Sequence, residues 1–227
     1  MPRLSFFLSF LLTISLTLHA THAVEYSVTN RAETTPGGIR FNNELGAEFT
    51  KQLMIQATDF IWKLFQQNTE ADRKNVARVP LFIDDMEGVA YASNDEIHFG
   101  AAYLQGIQGD IKPDFIGVLH HEMTHIWQWD GSKGTKAPVG LVEGIADFVR
   151  IRANYAPTSW KRGQGSKWDE GYSVTALFLD YCNDLRNGFV AELNKKMRET
   201  YSDNFFVELL GKPVDQLWRE YKAKYGN

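Results

Sequence analysis

The sequence predicts an α+β fold: a small mixed sheet confined to the N-terminal half, packed on a mainly helical remainder. Three observations carry that reading. Apolar residues Leu45, Phe49, Leu53, Ile61, Leu64 and Phe65 recur at helical spacing between Asn43 and about Gln67. Short strand-like runs cluster between Val24 and Phe99, separated by turn residues. Beyond Pro113 every patterned stretch has the period of a helix, so strands and helices are segregated along the chain rather than alternating.

Taken in order, the chain opens with Met1-Pro2-Arg3, an uncharged run Leu4–Leu18, and small residues at Thr21 and Ala23. That is the layout of a secretory signal peptide cut after Ala23. Fifteen residues interrupted by Ser and Thr are too few for a membrane span, which needs about 20 apolar residues. Removing residues 1–23 leaves 204 residues, expected as one domain over 24–227, and moves the net charge from −4 to −5. The acidic balance, with no Lys/Arg run, argues against nucleic acid or an anionic membrane as partner. Cys182 is the single cysteine, so no internal disulfide exists and stability must come from packing and from any bound metal.

Val24–Val28 alternates as a first strand, and Asn30–Gly38 with its Pro36-Gly37-Gly38 reads as a turn. The long helix Asn43–Gln67 follows, then a charged surface connection over Asn68–Arg78. Val79–Ile83 reads as a strand, and Val89–Ala92 with Glu96–Phe99 as a hairpin about Asn94-Asp95. Pro113 and Asp114 mark a helix start, with Asp114 as cap, and Phe115–Leu119 makes that helix apolar and buried. Later helices are expected over Pro138–Asn154, Glu170–Leu185, Gly188–Tyr201, Asn204–Leu210 and Val214–Lys224. Thr158–Asp169 is too polar and Gly-rich for core and suits the wall of a cleft. Trp127 and Trp129 are expected to pack in the core, and Cys182 to be a buried small hydrophobe.

The chemistry concentrates in His121-Glu122-Met123-Thr124-His125. Four residues apart on a helix, the two imidazoles leave one face a turn apart and can share a small cation. Glu122 stands about 100° round the helix, where it can reach a water on the metal without binding the metal itself. This HExxH arrangement is that of zinc hydrolases, with two imidazoles on zinc and a carboxylate as general base. The chain has six histidines, two of them (His19 and His22) in the leader, and none follows His125. A third histidine ligand downstream is therefore impossible, and Gln128 and Gly131 stand where HExxHxxGxxH would need its glycine and histidine. The third ligand must be a carboxylate. Glu143 comes 18 residues later on a helix of its own, with Asp147 one turn on along the same face. Asp147 is then placed to accept the second ring N–H of a ligand histidine. His98 and His120 read as structural, since His120 points off the metal face.

HExxH followed by ExxxD, here Glu143-Gly144-Ile145-Ala146-Asp147, resembles the thermolysin-type (gluzincin) metallopeptidases. More closely, Val118–Arg150 resembles the plant basic secretory proteins, a peptidase family of plants and bacteria associated with defence. Its specific marks are HExxHxxQ and EGIAD. The resemblance covers nearly all the chain after the leader and implies a secreted, zincin-like peptidase. One departure stands out: this chain is acidic, with a pI near 5.9. The resemblance also makes Ala90 and Tyr91 candidates for a cleft edge that binds substrate backbone by strand addition. Tyr172, at a Gly-Tyr that the family pattern shares, is the candidate donor to a developing oxyanion.

The expected function is thus hydrolysis of a peptide or protein substrate by a secreted monomer, located in the apoplast or cell wall if the source is a plant. It would use one zinc ion on His121, His125 and Glu143, with Glu122 moving the proton. The alternative is an extracellular defence or binding protein in which zinc only stabilises the fold. A wall-binding lectin resting on the tryptophans would leave HExxH unexplained.

Overall fold

A computed structural model describes residues 24–226; the proposed leader lies outside them. Four strands form one sheet: β1 (Glu25–Asn30), β2 (Arg78–Asp84), β3 (Ala90–Ser93) and β4 (Glu96–Gly100), in spatial order β1-β2-β4-β3. β1 and β4 both run parallel to β2, and β3 returns antiparallel along β4, so the sheet is mixed as expected. Val79, Leu81 and Ile83 alternate with half-exposed neighbours and are fully buried, which fixes the face that β2 turns to the helices. Pro80 lacks a ladder N–H, yet is tolerated because pairing with β4 begins only at Leu81. At the hairpin, Asn94 and Asp95 both take left-handed φ (51° and 63°), the requirement of a tight two-residue turn.

Nine helices follow the strands or intervene between them among the described residues: α1 (Pro36–Glu44), α2 (Ala47–Leu64), α3 (Ala101–Gly106), α4 (Lys112–Trp127), α5 (Val139–Arg152), α6 (Tyr172–Leu185), α7 (Phe189–Lys196), α8 (Asn204–Leu210) and α9 (Val214–Tyr225). One expectation fails in the N-terminal third and one boundary shifts. Pro36-Gly37-Gly38 opens a helix instead of a turn: Pro36 occupies the first helical position and the Thr35 hydroxyl caps the Gly38 N–H at 3.1 Å. The long helix expected from Asn43 is present as α2 but starts later, at Ala47, because Gly46 takes φ 75° between it and α1. The short α3 has no strong pattern of its own. It is held from a distance by Arg40, whose guanidinium donates to the carbonyls of Leu104 (3.0 Å) and Ile107 (2.5 Å) at its end.

α4 packs against α2, α5 and the hairpin strand β3, and α5 lies between α4 and α6. Its start also departs from expectation. Lys112 is the first helical residue, its N–H is met by Asp110 Oδ1 at 3.0 Å, and Asp114 sits inside the first turn rather than at the cap. Trp127 is core, edge-on to Trp62 at 4.9 Å, with its Nε1–H donating to Thr58 Oγ1 at 3.2 Å; Trp129 is partly buried against that core. Cys182 is fully buried, and burial pushes its thiol well up. Trp168 corrects the reading of 158–169 as outside the core: it is 8% exposed and packs on Phe178 and Phe206. No helix of the described residues is long and apolar enough to cross a membrane.

Gly140 sets the spacing of α5 from the turn that leads into α6. A Cβ there would overlap the carbonyl of Asp169, a backbone group that cannot rotate away. Gly140→Ala is therefore expected to destabilise the fold by about 1–3 kcal/mol. The check is a fall in the denaturant midpoint at unchanged slope; an unchanged midpoint would show that the 169–171 turn yields freely.

Candidate metal centre

α4 and α5 bring their cleft-facing residues together at mid-length. His121 Nε2 lies 3.1 Å from His125 Nε2 and 3.1 Å from Glu143 Oε2, and His125 Nε2 lies 3.6 Å from the same oxygen. Among the described residues, these three side chains form a group able to hold a metal ion. Glu143 is the fifth residue of α5, in its second turn rather than its first. That places its carboxylate opposite the histidine pair.

The outer ring nitrogens show what the inner ones need. His121 Nδ1 lies 2.8 Å from Asp147 Oδ1, so the buried carboxylate accepts its N–H. His125 Nδ1 lies 2.6 Å from the Gln128 side-chain amide. With that amide turned over, its oxygen, otherwise buried without a partner, accepts the Nδ1–H. Both Nε2 atoms then present lone pairs to one another and to an anionic oxygen about 3 Å away, an arrangement that repels unless a cation sits between them. The spacings also suit the ion. A tetrahedron with ligand bonds of about 2.0–2.1 Å has edges of about 3.3 Å, and the three separations here are 3.1, 3.1 and 3.6 Å. Without metal, a proton serves the same charge. Burial works against a charged His121, but its hydrogen bonds to Asp147 and Glu143 outweigh this and raise it to about 9. Burial likewise works to raise Glu143, yet His121 and His125 draw it down to about 2.

A cleft of about 800 Å³ opens over the group. Glu122 lines it, 5% exposed, and its carboxylate accepts no hydrogen bond among the described residues. Burial pushes that carboxyl up, against the pull of His121 and His125. Tyr172 stands at the rim, 59% exposed, its ring parallel to His121 with centroids 6.1 Å apart. Its φ of 45° is costly for a non-glycine residue, the kind of strain that collects at working sites. Nearby Glu143, then burial, raises its hydroxyl. Ala90 and Tyr91 line the opposite side on β3, the edge strand of the sheet. Trp160, from the segment expected to wall the cleft, does so.

The two other histidines of the described residues sit outside the candidate centre. His98 Nδ1 lies 2.5 Å from Asp84 and its ring stacks on Tyr91. His120 Nδ1 lies 2.8 Å from the Ile116 carbonyl, and its ring stacks on Tyr155. Sequence reasoning gave no role to Gln128, Arg150 or Lys74, all of which face the cleft. For Gln128 the signal was its position one turn after His125; for Arg150 it was the helical spacing Glu143, Asp147, Arg150.

A family model described as "Peptidase of plants and bacteria" matches residues 21–221. The chain belongs to that family. A "Basic secretory protease" from Boswellia serrata is 52% identical over 60 residues, which is 26% of this chain and 69% of that protein. No solved structure matches. Membership of the family assigns the chain to a class whose substrates are peptides or proteins. This member is itself acidic, with a net charge of −4.

Proposed function

We propose that this chain is a secreted, zinc-dependent peptidase, with residues 1–23 as signal peptide and 24–227 as one zincin-like domain. The observation that carries the reading is the convergence of His121, His125 and Glu143 beside a buried, unpartnered Glu122 in one open cleft. Zinc bound there would lower the pKa of a water toward neutrality and polarise the carbonyl to be attacked. Asp147 and Gln128 fix the two imidazoles so that their Nε2 atoms face inward. Glu122 takes the proton of the attacking water and passes it to the leaving amine. Tyr172 offers its hydroxyl to the oxygen on which charge develops. The free edge of β3, at Ala90 and Tyr91, receives the substrate backbone as an added strand.

The test is the metal content of the purified mature protein, followed by digestion of a broad peptide library with and without chelator. About one zinc per chain and chelator-sensitive cleavage are expected; a metal-free protein that cleaves equally well would overturn the proposal. Asp147 gives a graded check. Asp147→Asn leaves the metal ligands in place but weakens the partner of His121, so zinc affinity is expected to fall by roughly 10- to 100-fold without disappearing. Complete loss, in a competition titration, would make Asp147 a ligand in its own right.

A further inference from the structure

The cleft carries a guanidinium that the proposed chemistry does not use. Arg150 follows Glu143 by seven residues and Asp147 by three, so all three share one face of α5 and line the same cleft. Its Nε–H donates to the Tyr155 carbonyl at 3.0 Å, and its guanidinium carbon lies 5.4 Å from the centre of the Trp160 ring. The group rests on α4 where Gly117, one turn before His121, has no side chain: a Cβ there would fall 2.6 Å from Nε. The guanidinium is therefore placed by backbone on two sides and an aromatic ring on a third.

What it is placed for is unoccupied by protein. Among the described residues, Arg150 has no carboxylate within ion-pair distance and neither Nη donates a hydrogen bond. Neither is sealed from solvent as a buried unpartnered atom. Two parallel N–H groups on one edge of a fixed guanidinium are the geometry that grips a carboxylate through both oxygens. The other cation of the cleft, Lys74, lacks this freedom, because its ammonium already donates to the His125 carbonyl at 3.4 Å.

We propose that Arg150 is a specificity residue that binds a carboxylate of the peptide substrate, about three residues from the bond that is cut. The distance follows from two rises: seven residues of helix separate Arg150 from Glu143 by about 10 Å, and an extended chain covers about 3.3 Å per residue. The carboxylate comes from an Asp or Glu side chain or from the substrate's own C-terminus. The inference rests on the peptidase reading for its substrate, but not for its binding.

The experiment uses quenched fluorescent peptides with Glu or Gln at each position up to four residues either side of the cut bond, each as free acid and as C-terminal amide. Wild type is expected to favour Glu over Gln at one position, or free acid over amide at one chain length, by roughly tenfold in kcat/KM, less at high salt. The first result identifies a side chain and the second a chain end. In Arg150→Gln that ratio should fall to near one; in Arg150→Lys, which keeps the charge and loses the fork, it should fall partway. The same peptides are titrated by fluorescence anisotropy against Glu122→Gln, with and without Arg150→Gln. An Arg150-dependent carboxylate preference in binding, with no cleavage by wild type, would sustain this inference and remove the peptidase reading. Cleavage without preference at any position or terminus does the reverse, and a preference that survives in Arg150→Gln also overturns it. The wild-type comparison needs no variant, so it decides even if Arg150→Gln fails to fold.

Discussion

Glu122→Gln is expected to fold, to hold zinc at the wild-type level and to lose peptide hydrolysis by about 10²- to 10⁴-fold or more. The direction follows from what Glu122 touches. Its carboxylate accepts no hydrogen bond from the protein among the described residues, and it lines the cleft beside His121 and His125. It therefore has no partner to lose on becoming an amide, and Gln keeps its shape and volume. What goes is the ability to take a proton and to orient the attacking water. Burial holds the carboxyl above its ordinary range, against the pull of His121 and His125. The measurement is cleavage of a mixed library by wild type and Glu122→Gln at matched zinc content. Equal cleavage would mean another base or a contaminating protease. Cleavage by neither would favour a zinc-stabilised binding protein.

Glu143→Ala is expected to lose the metal and a substantial part of its thermal stability. The two imidazoles remain 3.1 Å apart, but the anionic third corner of the site is gone. With the chain's only cysteine buried and free, no disulfide ties α4 to α5, so a metal held by His121, His125 and Glu143 would be a cross-link between the two helices. A ligand that binds only the native state at 100 times its Kd contributes about 2.7 kcal/mol. In a chain of this size that is a fall in Tm of about 5–10 °C. Chelator-treated wild type should melt at nearly the same temperature as Glu143→Ala, and added zinc should rescue only wild type. Full zinc occupancy in Glu143→Ala at wild-type affinity would exclude Glu143 and turn attention to Asp147 or Asp130.

The residues that the sequence made legible are those whose partners lie on the same helix or in the same short motif. His121 and His125 share a face by spacing alone, and Asp147 follows Glu143 on the next helix by the same rule. The hairpin was legible because Asn-Asp tolerates left-handed φ. What escaped depends on distant contact. α3 is secured by Arg40, more than 60 residues earlier in the chain. Trp168 sits in a Gly-rich stretch whose local composition says loop, yet two phenylalanines from α6 and α8 enclose it. Gly46 interrupts a good apolar period with one backbone angle. Arg150 had the right spacing to be noticed, but an arginine in the last turn of a helix ordinarily answers the helix dipole. Only the fold shows that it faces the cleft.

The parallel pairing of β1 with β2 has a consequence for how the molecule is made. Glu25 is matched with Arg78 and Asn30 with Ile83, so the first strand has no partner until the chain has been built through residue 83. At about 5–20 residues per second that wait lasts roughly 3–10 s. Closing so long a loop carries an entropic cost before any ladder bond repays it, which makes the sheet the slow step of folding. His121 and Glu143 are separated by only 22 residues and meet across two helices adjacent in sequence. The candidate pocket is thus a local object, as is the pairing of β3 with β4 across a two-residue turn, whereas β1 joins β2 from far along the chain; in refolding kinetics the histidine cluster and the β3–β4 hairpin are therefore expected to become ordered before β1 docks on β2.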